Sequence, residues 1–108
     1  MTPKDRDELF VRYCQYEMDL LTNKSISYDK NASKDVLNFF KEVAAKKNIS
    51  AKLVIEVFIE AKVSRLNSLL QGTSTMYESI QDTIHDLRNY LFLLQCLIHE
   101  ERSDPEKS

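Results

Sequence analysis

The stretch MYESIQDTIHDLRNYLFLLQCLI, residues 76–98, is the longest uninterrupted periodic segment of this chain. Its aliphatic residues recur at alternating steps of four and three, which places them on one stripe of an α-helix. This aliphatic stripe comprises Ile80, Ile84, Leu87, Leu91, Leu94 and Ile98. A polar stripe lies on roughly the opposite side and comprises Glu78, Asp82, His85, Asp86 and Asn89. The segment therefore predicts a helix with one core face and one polar face, and the polar face is where the sequence indicates chemistry.

Composition extends the helical prediction to the whole chain. One glycine and two prolines leave little material for tight turns between strands, so the sequence favours an all-α fold. The 108 residues suffice for one domain, which we predict over 1–108, ordered over about 5–100 and ending in a polar tail, 101–108.

Charge and hydropathy exclude two classes of partner. The net charge of −2 comes with no dominant basic patch, so we expect no nucleic-acid binding. We expect no membrane insertion, because no apolar run reaches the roughly 18 residues that a spanning helix needs. The beginning of the chain, MTPKDRDELF, lacks the apolar core of a signal peptide, which predicts a cytoplasmic protein. Cys14 and Cys96 lack metal-ligand spacing and are predicted to be reduced core residues.

The first half of the chain predicts two helices joined by a long loop. The first helix should span about 5–21, and the polar residues of 22–32 should form the loop. This loop is either a solvated connector or a functional segment, and Lys24 and Tyr28 are its candidate site residues. The second helix should span about 34–47, with Ser33 as its N-cap. Its predicted buried face comprises Val36, Leu37, Phe40, Val43 and Ala44.

The second half predicts a helical hairpin. The third helix should span about 51–70, capped by Ser50 and ended by Gly72 at the C′ position. The fourth should begin at a capping box formed by Thr75 and Glu78. We therefore predict a compact bundle of four main helices whose third and fourth helices are antiparallel. Their apolar surface exceeds what 108 residues can readily cover, which predicts a homo-oligomer.

The polar stripe has a metal-binding and a structural interpretation. Glu78, Asp82 and Asp86 recur every four residues and together could hold a hard cation such as Mg²⁺. Glu56 and Glu60 of the third helix would extend this cluster if the two helices faced each other. Alternatively the acids form a solvated face, with Glu78 explained by the capping box and His85 by a surface role.

Two runs, FIEAKVSRLNSLL at 58–70 and MYESIQDTIHDLRNYLFLL at 76–94, carry a resemblance to known proteins. They resemble a group of small helical proteins of bacteriophages and prophages, in which a lysine precedes an E-(S/P)-I-x-x-x-I-x-D-x-x-N-Y motif. The matching positions here are Lys62, Arg65, Glu78, Ser79, Ile80, Ile84, Asp86, Asn89 and Tyr90. NKSISYDK at 23–30 and NFF at 38–40 match more loosely, and the likeness covers about 9–99. The group is similar to the phage family associated with nucleotide modification, and distantly to all-α nucleotide pyrophosphohydrolases of the MazG and dUTPase type.

The resemblance implies a nucleotide or nucleotide-derived ligand in the host cytoplasm. Lys24, Lys62 and Arg65 would contact phosphates, with Asn89 also in the site. Tyr28 or Tyr90 would stack on a base, and the acids of the polar stripe would hold Mg²⁺ or ribose hydroxyls. The ligand would be hydrolysed, or sequestered as a host defence signal.

Two departures leave enzymatic activity open. Ser27 stands where the group usually has aspartate. The pyrophosphohydrolase pattern E-x-x-E…E-x-x-D is missing, because Glu56 and Glu60 are four residues apart, as are Glu78 and Asp82. One residue turns a helical side chain by about 100°, which is enough to move a metal ligand. The alternative is an interaction protein without a small ligand, which inhibits a host protein through a helical face.

Overall fold

The computed structural model describes residues 1–28, 35–72 and 77–103, without the side chains of 24–28. These residues form four α-helices and no strand: α1 (Pro3–Tyr28), α2 (Asn38–Lys47), α3 (Ala51–Leu70) and α4 (Tyr77–Ser103). The all-α prediction is confirmed. The chain divides into two compact units, Met1–Lys34 and Asp35–Ser108, which are described separately. One domain over 1–108 stays a prediction.

The first unit is built on α1, which is longer than the sequence predicts at both ends. Thr2 and Asp5 form a reciprocal capping box: the Asp5 N–H donates to Thr2 Oγ1 at 3.1 Å, and the Thr2 N–H donates to Asp5 Oδ2 at 3.2 Å. The loop prediction is wrong over 22–28, which is helical. The Thr22 hydroxyl donates to the Met18 carbonyl at 3.1 Å, so this polar side chain bonds within its own helix.

The second unit begins with a turn before α2. Asp35 Oδ1 accepts the Leu37 N–H at 2.9 Å, and the Asp35 carbonyl accepts the Asn38 N–H at 3.0 Å. This turn delays the helix to Asn38, so the predicted start near 34 is wrong, and the predicted cap Ser33 lies outside the described residues. Leu37, Phe40 and Ala44 are buried as predicted. Val36 is exposed, because it belongs to the turn and not to the helix.

The predicted bounds and cap of α3 are confirmed. The Ser50 hydroxyl accepts the Leu53 N–H at 3.1 Å. Gly72 follows the C-cap Gln71 as predicted, and its N–H donates to the Leu69 carbonyl at 3.0 Å without a positive φ. The left-handed conformation that often ends a helix occurs instead at Asn48, after α2, with φ 56° and ψ 46°.

Two ion pairs show that α3 and α4 run antiparallel, as predicted. Lys52, near the start of α3, lies 3.0 Å from Glu101 near the end of α4. Lys62, later in α3, lies 3.0 Å from Asp86, earlier in α4. The start of α4 at Tyr77 agrees with the prediction to within a residue or two, while Thr75 of the predicted capping box lies outside the described residues. The helix continues to Ser103, so 101–103 belong to it and not to a tail.

Four aromatic rings join the three helices of this unit. Phe58 of α3 lies 5.9 Å from Phe39 and 5.7 Å from Phe40 of α2, measured between ring centroids. It also lies 5.6 Å from Tyr90 of α4, edge to face. The half-buried Phe58 therefore connects α2 with α4, while the fully buried Phe40 and Ile55 lie in the core.

The buried side of α4 is not the predicted aliphatic stripe. Leu91 and Ile98 of that stripe are exposed. The buried residues are Thr83, His85, Asn89, Tyr90, Leu93 and Leu97. The helix is rotated relative to the prediction because Tyr90 packs on Phe58 and Asp86 pairs with Lys62. Part of the predicted polar stripe is thus turned into the protein.

Lys41 ties α2 to the end of α4. Its ammonium donates to Asp35 Oδ2 at 2.7 Å and to Glu100 Oε1 at 2.6 Å. Burial alone would lower the pKa of Lys41. The hydrogen bonds and negative charges of Asp35 and Glu100 outweigh burial, so the pKa is raised above its ordinary value of 10.5.

This arrangement predicts a loss of stability in alkali. The folded state favours the Lys41 ammonium, so its stabilising contribution is complete below 10.5 and is lost as pH rises through the higher folded pKa. Chemical denaturation between pH 9 and 12 should show this decline in the wild type. In Lys41→Met the part of the decline due to this group should disappear. An identical alkaline decline in the variant would contradict the assignment.

None of the helices in the described ranges is long and apolar enough to cross a lipid bilayer.

Candidate functional site

The ion pair of Lys62 and Asp86 is the centre of the candidate site. Lys62 Nζ lies 3.0 Å from Asp86 Oδ2 and joins the middle of α3 to the first half of α4. The pair is sheltered, with 28% of the Lys62 side chain and 15% of the Asp86 side chain exposed. Because solvent screens a sheltered pair poorly, it interacts more strongly than an exposed one.

A second pair between the same helices provides a comparison. Lys52 Nζ lies 3.0 Å from Glu101 Oε2, the same distance as in the first pair. Here 50% of the lysine and 35% of the glutamate side chain are exposed. Both pairs join a lysine of α3 to a carboxylate of α4 at the same distance, and they differ in exposure. Their different environments separate the candidate site from an ordinary surface ion pair.

Buried polar side chains lie beside Asp86 on α4. Thr83, His85 and Asn89 are all buried. The Thr83 hydroxyl donates to the Ser79 carbonyl at 2.7 Å. No buried side-chain nitrogen or oxygen in the described part of the chain is left without a hydrogen-bond partner. Because burying polar groups is costly unless they are satisfied, the buried polar residues Thr83, His85 and Asn89 mark this part of α4 as a candidate for function.

The predicted acidic stripe runs from solvent to the sheltered Asp86. Glu78 and Asp82 are exposed, whereas Asp86 is largely covered and paired with Lys62. The alternative prediction, in which all the acids form a solvated face, is therefore wrong for Asp86. One turn separates Glu78 from Asp82, and another separates Asp82 from Asp86. Carboxylates of this stripe thus remain accessible next to the buried polar residues.

The acids of α3 do not join the acidic stripe. Glu60 precedes Lys62 by two residues, which places it about 160° around the helix from the lysine that faces α4. Glu56 and Glu60 are both exposed. Within 1–28, 35–72 and 77–103, no group of three or more histidine, cysteine or acidic residues is arranged to hold a metal ion. The magnesium site stays a prediction.

The other predicted ligand-binding residues belong to α4 and α1, and each unit is described by itself. Asn89 is buried on α4, and the ring of Tyr90 packs against Phe58. Lys24 and Tyr28 fall in the last turns of α1, and their side chains lie outside what the structure describes.

Arg65 lies on α3 one turn after Lys62 and lines a separate surface depression. This depression has a volume of about 360 Å³. It is lined by Ala61, Ser64, Arg65, Ser68, Leu69 and Gly72. The sequence interpretation did not include Ser64 or Ser68. Ser64 and Ser68 are four residues apart, with Arg65 between them, which places all three on adjoining parts of one helix surface.

The cysteines provide no further chemistry in this site. Cys14 and Cys96 are free, but both are half-buried, so they are not the core residues that the sequence predicts. Burial raises the pKa of the Cys96 thiol, which disfavours the reactive thiolate.

Comparison with known protein families, with characterised proteins and with solved structures finds no match to this chain. The phage and pyrophosphohydrolase resemblance therefore stays a prediction from the residues alone.

Proposed function

We propose that this chain binds a nucleotide or nucleotide-derived ligand at the polar surface formed by α3 and α4. The observation that carries the proposal is the sheltered pair of Lys62 and Asp86, set beside the buried His85 and Asn89. The pair of Lys52 and Glu101, in contrast, is more exposed and lies at the ends of the two helices, as expected for an ordinary surface ion pair.

The charges around this pair suit a ligand with phosphate and hydroxyl groups. Arg65 is exposed one turn beyond Lys62 and offers a guanidinium for phosphate oxygens. Asp82 and Glu78 are exposed at the other end of the polar stripe and offer carboxylates for ribose hydroxyls. If Mg²⁺ accompanies the phosphates, these two acids are the residues that would take it. The proposal concerns binding; sequestration and hydrolysis remain two uses of the same site.

Thermal unfolding with a ligand panel tests the proposal. The panel comprises nucleoside triphosphates, cyclic nucleotides and dinucleotides, each with and without Mg²⁺. A ligand at 100 times its Kd should add about 2.7 kcal/mol to the free energy of unfolding, which raises Tm by several degrees in a domain of this size. Asp86→Asn and Lys62→Gln should abolish this ligand-induced rise, measured from each variant's own Tm.

Lys52→Gln is the matched control and should keep the rise, because it removes the same charge from the same helix. Free phosphate release from any ligand that binds would distinguish hydrolysis from sequestration. No rise with any ligand would contradict the proposal and favour the alternative, an interaction protein that acts through a helical face.

A further inference from the structure

We infer that the depression around Arg65 binds an oxyanion, and that it receives the phosphate of the ligand proposed above. The inference rests on the proposed function, because it states which part of that ligand lies where. It assigns phosphate binding to Arg65, Ser64 and Ser68, while Lys62 and Asp86 contribute to ligand binding by holding α3 against α4.

Arg65 and Lys62 differ in whether their hydrogen-bond donors are already bonded to another side chain. The Lys62 ammonium already bonds to Asp86 at 3.0 Å. The Arg65 guanidinium is exposed and has no hydrogen bond or ion pair with any residue of the described ranges. A phosphate would have to compete with Asp86 for Lys62, whereas Arg65 can bind it without breaking an existing contact. Its planar fork also matches the paired oxygens of a phosphate or carboxylate.

The lining of the depression fits a small organic oxyanion. Ser64 and Ser68 stand one turn apart and supply two hydroxyls beside the guanidinium. Ala61 and Leu69 supply apolar surface for the group that bears the anion. The volume of about 360 Å³ is near the lower end for small-molecule sites. A phosphate ester on a ring-sized group matches this chemistry.

The position of the depression along α3 indicates which of its residues is essential for anion binding. The depression lies toward the carboxyl end of the helix, where the helix dipole is negative and opposes anion binding. The attraction must therefore come from the guanidinium charge, while the hydroxyls orient the anion. We expect the arginine to be indispensable and each serine to contribute less.

An NMR titration of the full chain tests this inference with phenyl phosphate, inorganic phosphate and benzoate as probes. Phenyl phosphate should saturably shift the amide signals of 61–72. Arg65→Gln should weaken its binding at least about tenfold, because a charge-assisted hydrogen bond is lost. Ser64→Ala and Ser68→Ala should each weaken it about two- to tenfold. Arg102→Gln, which removes the same charge from an exposed site near the end of α4, should leave binding unchanged.

The outcomes separate this inference from the proposed function. Nucleotide binding that is equally tight in the wild type and Arg65→Gln would overturn the inference and leave the proposed function standing. Shifts in the depression that depend on Arg65, with no nucleotide raising Tm, would support the oxyanion site and count against a nucleotide ligand. A preference for benzoate over phenyl phosphate would identify a carboxylate as the anion and overturn the phosphate assignment. No saturable shift with any probe would overturn the inference.

Discussion

Replacement of Ile55 by alanine should lower the free energy of unfolding of the second unit by about 2–5 kcal/mol. Ile55 is fully buried on α3, with no solvent exposure. Truncation removes three buried carbons and leaves a cavity among close-packed neighbours, so both the transfer and the cavity contributions are lost. Urea denaturation followed by circular dichroism at 222 nm measures the effect as a fall in the transition midpoint.

Val57→Ala is the matched control for this prediction. Val57 lies two residues further along the same helix and is 51% exposed. Its truncation removes little buried surface, and alanine has the higher helix propensity, so stability should change by no more than about 0.5 kcal/mol. Equal losses in the two variants would show that the described face of α3 is not the packed one.

Replacement of Lys62 by methionine should destabilise the protein by about 1–3 kcal/mol, which is the second largest effect we expect. Methionine keeps most of the aliphatic stem, so the change isolates the ammonium. Without it, the Asp86 carboxylate loses its cationic partner while only 15% of that side chain is exposed. The loss exceeds that of a surface pair because the carboxylate is poorly solvated when left alone.

Lys52→Met provides the comparison, since its pair has the same 3.0 Å distance but greater exposure. We expect it to cost no more than about 1 kcal/mol. A double-mutant cycle of Lys62→Met with Asp86→Asn should give a coupling energy of about 0.5–3 kcal/mol in urea denaturation. A coupling near zero, or equal losses from the two lysines, would contradict a special environment at Lys62.

Sequence patterns predict the ends of α3 but not the partner of Lys62. The bounds of α3 follow from local signals: Ser50 caps its first turn, and Gly72 follows its last. Local signals act through the backbone of neighbouring residues, so they can be recognised without knowing the fold. The partner of Lys62 is 24 positions away in the chain, and no local rule identifies it.

The candidate site was predicted in part. The sequence predicts both the polar stripe of α4 and the lysine of α3 as site residues, and the structure joins them through Lys62 and Asp86. Glu56 and Glu60 were proposed to join the acids of α4, and they are exposed. Sequence patterns do not indicate Ser64 and Ser68, because isolated serines on a helix form no motif of their own.

Polar residues give the wrong secondary structure on either side of the predicted loop, at Thr22 and at Asp35. Thr22 was assigned to a loop, but its hydroxyl bonds to the Met18 carbonyl and the helix continues to Tyr28. Asp35 was assigned to a helix, but its side chain stabilises a turn through the Leu37 N–H. The same residue types serve helix interiors, caps and turns, and the backbone context decides among these roles.

The sequence by itself determined the helical class, the ends of α3 and the antiparallel pairing of α3 with α4. Scarce glycine, hydrophobic periodicity and a short connection act locally, and they exclude most other arrangements. Only the tertiary structure decided which side of α4 is buried, because α4 offers two apolar stripes, the predicted aliphatic stripe and a second one formed by Tyr90, Leu93 and Leu97. Packing of Tyr90 on Phe58 and pairing of Asp86 with Lys62 select one of them, which exposes Leu91 and buries His85 and Asn89. These contacts join residues far apart in the chain, so the geometry of the candidate site arises from packing and not from spacing.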